Sequence, residues 1–123
     1  MNKIISIDDS AHMRNIIRGA VEVLGYDFIE APDGEAGLAM VRENADDIKL
    51  IMLDVNMPGM LGTEVLDHLK EDAEVKDIPV MMVTTEIESK AIIGAIKAGA
   101  ANYVTKPFGQ EELVTKMVET LGM

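Results

Sequence analysis

The sequence predicts an α/β protein, a doubly wound sheet of five parallel strands with helices on both faces. Three observations carry that prediction. Five short runs rich in Ile, Val, Leu and Met recur along the chain, each too short for a helix and apolar enough to be buried on both sides. Segments with helical period separate them. Glycines and Asp-containing turns fall at the joints. Strands that alternate with helices make a parallel sheet covered on both faces, with right-handed crossovers. Five such units are too few for a barrel of eight.

The first strand is Lys3–Ile7, in KIISIDDS, and it stops on two adjacent carboxylates, Asp8 and Asp9. Ser10 is a suitable N-cap for a helix over Ala11–Leu24, where Met13, Ile16, Ile17, Ala20, Val21 and Leu24 recur at three- and four-residue spacing. Gly25 stands where a C′ glycine ends a helix. The second strand is Tyr26–Glu30. APDGE then makes a turn with Asp33 as N-cap, and the next helix is Glu35–Asn44. The third strand, Leu50–Leu53, runs into Asp54 in IMLDVNMPG, and a helix follows over Thr63–Glu71. The fourth, Val80–Val83, is followed by Thr84 and Thr85 in MMVTTE, then by a helix over Ile87–Ala98 that ends at Gly99. The fifth, Asn102–Val104, leads to Lys106 in YVTKPF. The last helix, Gln110–Leu121, carries a stripe of Leu113, Met117 and Leu121 with Val114 and Val118 beside it.

The 123 residues suit one domain, taken as 1–123, and 48% hydrophobic content can fill its core. No apolar stretch approaches the ~20 residues that span a bilayer, and the N-terminus lacks the basic and apolar regions of a signal peptide. With no cysteine there is neither a disulfide framework nor a thiolate metal site, and a cytoplasmic location is expected. A net charge of −11 argues against nucleic acid, which needs clustered Lys and Arg. Two Phe, two Tyr and no Trp make no stacking platform. The ten methionines sit mostly in apolar runs such as PVMMV and read as core filling, with a Met-rich partner groove as the alternative. The acidic runs Glu43–Asp47 and Glu71–Asp77 read as solvated helix ends.

Ligands of open α/β sheets bind beyond the carboxyl ends of the strands. In the flavodoxin-like order 2-1-3-4-5, strands 1 and 3 are neighbours, strand 2 is an edge, and strand 2 alone ends without obvious chemistry. Asp8 and Asp9 by themselves read as a solvated turn. Joined by Asp54 they form a carboxylate cluster, which raises its own pKa values unless a cation sits within it. Oxygen ligands without His or Cys suit a hard ion, Mg²⁺ first. Lys106 would supply a positive charge for a phosphoryl group and Thr84 a hydroxyl donor. Such parts suit phosphoryl transfer, with one carboxylate as nucleophile.

The set DD, LDVNMPGM, MVTTE, KAGAANY and TKPF, in that order across the whole chain, resembles the receiver domain of bacterial response regulators. ANYVTKPF and the closing LGM are similar to the family's single-domain chemotaxis regulators. The resemblance implies Mg²⁺ bound by Asp9 directly, by Asp8 mainly through water, by Asp54 and by the backbone carbonyl of Asn56. It implies Asp54 as the phosphoacceptor, Lys106 on the phosphoryl group, and a cis bond between Lys106 and Pro107. Thr84 and Tyr103 would be the switch pair, and Asn56, Thr85 and Glu86 would set the phosphoryl lifetime. Taken singly, Lys106 reads as a surface lysine and Tyr103 as a half-buried aromatic; the joint arrangement argues otherwise. His12 and His68 read as solvent-facing and receive no role.

The implied function is a monomeric, phosphorylation-controlled binding module that catalyses only its own phosphorylation and dephosphorylation. A sensor histidine kinase would donate the phosphoryl group. The target would be a separate protein, with the flagellar motor switch as the one suggested, bound on the face of helix 4, strand 5 and helix 5, where Lys90, Lys97 and Lys116 lie. The alternatives are a phosphorelay intermediate or phosphate sink, and a Mg²⁺-dependent phosphohydrolase of the haloacid dehalogenase type. The latter needs D-x-D after the first strand, where this chain has DDS. Two positions depart from the receiver pattern: Leu61 where Asp or Asn is usual, and Thr85 where Ala or Gly is usual.

Overall fold

A computed structural model of the chain describes residues 2–85 and 89–122, and for 89–92 the backbone alone. The elements are β1 (Lys3–Ile7), α1 (Ala11–Val23), β2 (Asp27–Ala31), α2 (Gly34–Glu43), β3 (Ile48–Asp54), α3 (Gly62–Glu71), β4 (Val80–Thr85), α4 (Ser89–Lys97), β5 (Asn102–Lys106) and α5 (Gln110–Leu121). The strands form one parallel sheet in the order β2-β1-β3-β4-β5, as expected.

Alternation along the strands divides the core into two layers. Ile5, Ile7, Ile51, Leu53, Val80 and Met82 pack with Leu38, Val41, Val65, Leu66, Leu69 and Ala95 of α2, α3 and α4. Ile4, Leu50, Met52, Met81, Val83 and Val104 pack with Ile17, Ala20, Val21, Leu113 and Met117 of α1 and α5. The expected stripes of α1 and α5 are thus the faces buried on the sheet. Each large side chain buried there contributes about 1.5–3 kcal/mol. Met52, Met57, Met81, Met82 and Met117 are core residues, so the core-filling reading of the methionines holds for these five.

Three strands run further than their apolar residues suggest. The ladder continues through the register pairs Asp54 with Val83, Thr84 with Thr105 and Thr85 with Lys106. A parallel ladder is built from backbone groups, so polar side chains at its end do not interrupt it. Asp54, Thr85 and Lys106 are therefore the last strand residues rather than the first loop residues. The start expected for the fourth helix, Ile87, lies outside the described residues.

Ser10 and Asp33 cap α1 and α2, their side-chain oxygens accepting from the amides of Met13 and Ala36. Leu61 at the N-cap of α3 cannot accept in this way. The Glu64 carboxylate accepts from the Leu61 amide at 3.3 Å, so half of a capping box survives there. The next residue, Gly62, donates its amide to Val55 O at 2.8 Å. The turn is so tight that a Cβ on Gly62 would lie 2.0 Å from Asp54 O. Gly62→Ala should therefore cost roughly 1–3 kcal/mol in urea unfolding by forcing the β3–α3 loop off Asp54. Gly94→Ala, in α4 with nothing within 4 Å of the added carbon, should instead gain about 0.5–1 kcal/mol.

Candidate functional site

The carboxyl ends of β1 and β3 are adjacent, which brings Asp8, Asp9 and Asp54 together. One oxygen from each lies within 4.8 Å of the others. Asp8 and Asp54 are buried, 1% and 3% exposed, while Asp9 faces solvent. Asp8 Oδ1 accepts from the Ser10 amide at 2.9 Å, but its buried Oδ2 has no partner among the described residues. Buried acceptors are ordinarily satisfied. An orphaned carboxylate oxygen in an all-oxygen cluster fits a hard cation.

Lys106, the last residue of β5, places Nζ 3.0 Å from Asp54 Oδ1. Alternation explains the meeting. Asp54 shares a face with Leu50 and Met52, and Lys106 shares that face with Val104. The Lys106–Pro107 bond is cis. Three carboxylates and one ammonium leave two formal negative charges, the amount that a divalent cation neutralises.

Burial sets the proton affinity of the cluster. Desolvation pushes the Asp54 carboxyl up from 3.8 to about 6; Asp8 and Asp9 add to the rise and the Lys106 hydrogen bond opposes it. Asp8 is raised too, first by desolvation, against the Ser10 amide. At neutral pH Asp54 is still mostly ionised, and it is more basic than an ordinary aspartate. That is useful in a nucleophile.

Alternation puts Thr84 on the opposite sheet face, where it is buried; its hydroxyl donates to Thr85 O at 3.2 Å. Tyr103 shares that face, is 38% exposed, and has Lys116 Nζ 5.0 Å from its ring centroid. Thr85 is on the Asp54 side and lines a cavity of ≈ 420 Å³ with His12, Met13, Ile16, Lys106 and Phe108. Asn56 is exposed on the β3–α3 loop, and Glu86 lies outside the described residues. His12 and His68 are exposed on their helices, as expected.

Sequence reading missed two residues beside the site. Arg14 Nη1 donates to the Asp8 carbonyl at 2.7 Å, and Arg14 Nε donates to Glu30 Oε1 at 2.7 Å. The available signal was Arg14 and Arg18, four apart on one helix, in a chain with 22 acidic and 11 basic residues.

The family model for the response regulator receiver domain matches residues 4–118. The chain is 39% identical over 121 residues to the chemotaxis protein CheY1 of Helicobacter pylori, covering 98% of this chain and 97% of that one. It is 37% identical over 116 residues to the chemotaxis protein CheY-3 of Vibrio cholerae, covering 94% and 88%. The structure of the chemotaxis response regulator CheY4 of Vibrio cholerae superposes with a TM-score of 0.88 at 29% identity over 98% of each chain.

Because the folded pKa of Asp54 lies above its unfolded value, the native state holds a proton that the unfolded chain releases. Stability therefore falls as pH rises from 3.8 to about 6, and the whole penalty is present above that window. Asp54→Asn removes the penalty and in exchange leaves Lys106 without its anion. In metal-free buffer at pH 7.5 the variant should be more stable by roughly 1–3 kcal/mol. The difference should vanish below about pH 4. Urea unfolding at the two pH values checks this.

Proposed function

Since the chain belongs to the response-regulator receiver family, and is a CheY-like member of it, we propose that it is a phosphorylation-controlled signalling module of a chemotaxis pathway. The observation that carries this reading is the Lys106–Asp54 contact at 3.0 Å inside a cluster of three carboxylates. Nothing found supports a phosphohydrolase of the haloacid dehalogenase type; the receiver match spans residues 4–118.

Asp54 is the phosphoacceptor. An oxygen of its carboxylate attacks the phosphorus of a phosphohistidine on a sensor kinase. An O–P bond forms, the N–P bond breaks, and the imidazole leaves with the electron pair and takes up a proton. Asp9, Asp8, Asp54 and the Asn56 carbonyl would hold Mg²⁺, which when bound neutralises charge on the phosphoryl oxygens. Lys106 can turn its ammonium from the carboxylate to the phosphoryl group without leaving the site.

Thr84 and Tyr103 form the switch. They share a sheet face, so a hydroxyl drawn to the phosphoryl group frees space that the half-exposed ring can enter. Ile93 and Ile96 on α4 are 64% and 43% exposed, and Tyr103 on β5 is 38% exposed. Lys97 and Lys116 lie alongside. The side chain of Lys90 lies outside the described residues. An apolar patch with lysines suits an acidic, amphipathic segment of a target such as the flagellar motor switch. No helix among the described residues is long and apolar enough to cross a membrane; the reading places a monomer in the cytoplasm.

Incubation with acetyl phosphate and Mg²⁺ should add one phosphoryl group, detected by intact mass. Asp54→Asn should take up none at that site, and labelling that persists unchanged in it would defeat the reading. Asn56, Thr85 and Glu86 would set the lifetime of the phosphoryl group. Thr85 narrows the approach, because its β-branched side chain is stiff and lines the cavity beside Lys106. Thr85→Ala should speed phosphorylation and decay several-fold, about 1 kcal/mol of barrier; stopped-flow traces with unchanged or slower rates would show that Thr85 is no gate.

A further inference from the structure

We infer that Arg14, anchored by Glu30, is a positioning residue for the acidic pair: it clamps the peptide that joins Asp8 to Asp9. The inference rests on the reading of the carboxylate cluster as a cation site.

The clamp is visible atom by atom. The Asp8 amide donates to Ala31 O of β2 at 3.1 Å. The Asp8 carbonyl accepts from Arg14 Nη1 at 2.7 Å. This carbonyl belongs to the peptide plane between the two acidic residues, so its direction sets the backbone from which Asp9 projects. Arg14 is itself held. Its Nε donates to Glu30 Oε1 at 2.7 Å, and the other oxygen of Glu30 accepts from Arg18 Nη2 at 2.6 Å. The Arg18 guanidinium lies 4.9 Å from the ring centroid of Phe28, also on β2. Both sides of the Asp8 backbone are thus tied to one strand. The Arg14 side chain is only 16% exposed, which protects the arrangement from competition by water.

Chemistry favours arginine here. Two donors at fixed separation on one rigid plane reach two acceptors on different elements, which a lysine ammonium cannot imitate. Charge argues in the same direction. An unpaired cation near the cluster would repel a metal ion, but the partnership with Glu30 offsets it. The Glu30 carboxyl is lowered, first by its Arg14 hydrogen bond, and stays ionised. The edge strand whose end carries no site residue therefore acts on the site through α1.

The test is Mg²⁺ affinity followed by NMR titration of the wild type, Arg14→Lys and Arg14→Gln, with urea unfolding of each. Outer-shell partners of metal ligands are worth about tenfold or more in affinity. Arg14→Lys should lose about tenfold although its charge is unchanged. Arg14→Gln should also lose affinity, although removal of a positive charge would by itself strengthen cation binding. Wild-type affinity in Arg14→Lys, or tighter binding in Arg14→Gln, overturns the clamp. Lower stability with unchanged affinity assigns Arg14 a purely structural role and overturns it equally. A wild type that shows no Mg²⁺ binding overturns the cation reading itself, an outcome distinct from the others.

Discussion

Three carboxylates lie within 4.8 Å of one another, and holding the buried ones ionised away from water costs stability. That cost shapes everything around it. Two of the three are buried, so they lose their hydration and their proton affinity rises, with the neighbouring charges adding to the effect. Lys106 brings one positive charge, and the rest of the imbalance remains as attraction for a cation. The protein spends folding stability to hold a site that is incomplete by itself. Preorganisation of this kind makes a weakly nucleophilic side chain useful at neutral pH.

The tension is tolerable because the backbone beneath is fixed. Asp54 ends a central strand with paired neighbours on both sides. Gly62 lets the next loop close directly over its carbonyl. Asp8 is tied to β2 through its amide and through Arg14. On the proposed reading the parts that move are side-chain ends, the Lys106 ammonium and the Thr84 hydroxyl. A rigid frame with few movable groups can convert a charge change into a defined response.

Most of this was legible in the sequence because parallel strands advertise themselves as apolar runs, and the residue after such a run must sit at the sheet's rim. Asp8, Asp54 and Thr84 directly follow such runs, and Lys106 follows one two residues on. Strand ends were less legible: Thr85 and Lys106 pair through their backbones, and apolar periodicity is blind to backbone pairing. The role of Glu30 was invisible because it works through Arg14, sixteen residues earlier, and no local pattern announces a contact between a helix and a neighbouring strand. The repair at Leu61 was hidden for a similar reason. The missing cap is partly replaced from three residues downstream by Glu64, a residue that a position-by-position comparison reads as unremarkable helix surface.

The cavity beside Lys106 is lined by α1, the ends of β4 and β5 and the segment after β5, whereas Ile93 and Ile96 are exposed on α4 and Tyr103 on β5. The two surfaces have no residue in common. On the proposed reading, loading at the cavity and reading out at the exposed side chains would draw on different residues. On that reading, the lifetime of the added charge would set how long the read-out surface stays altered.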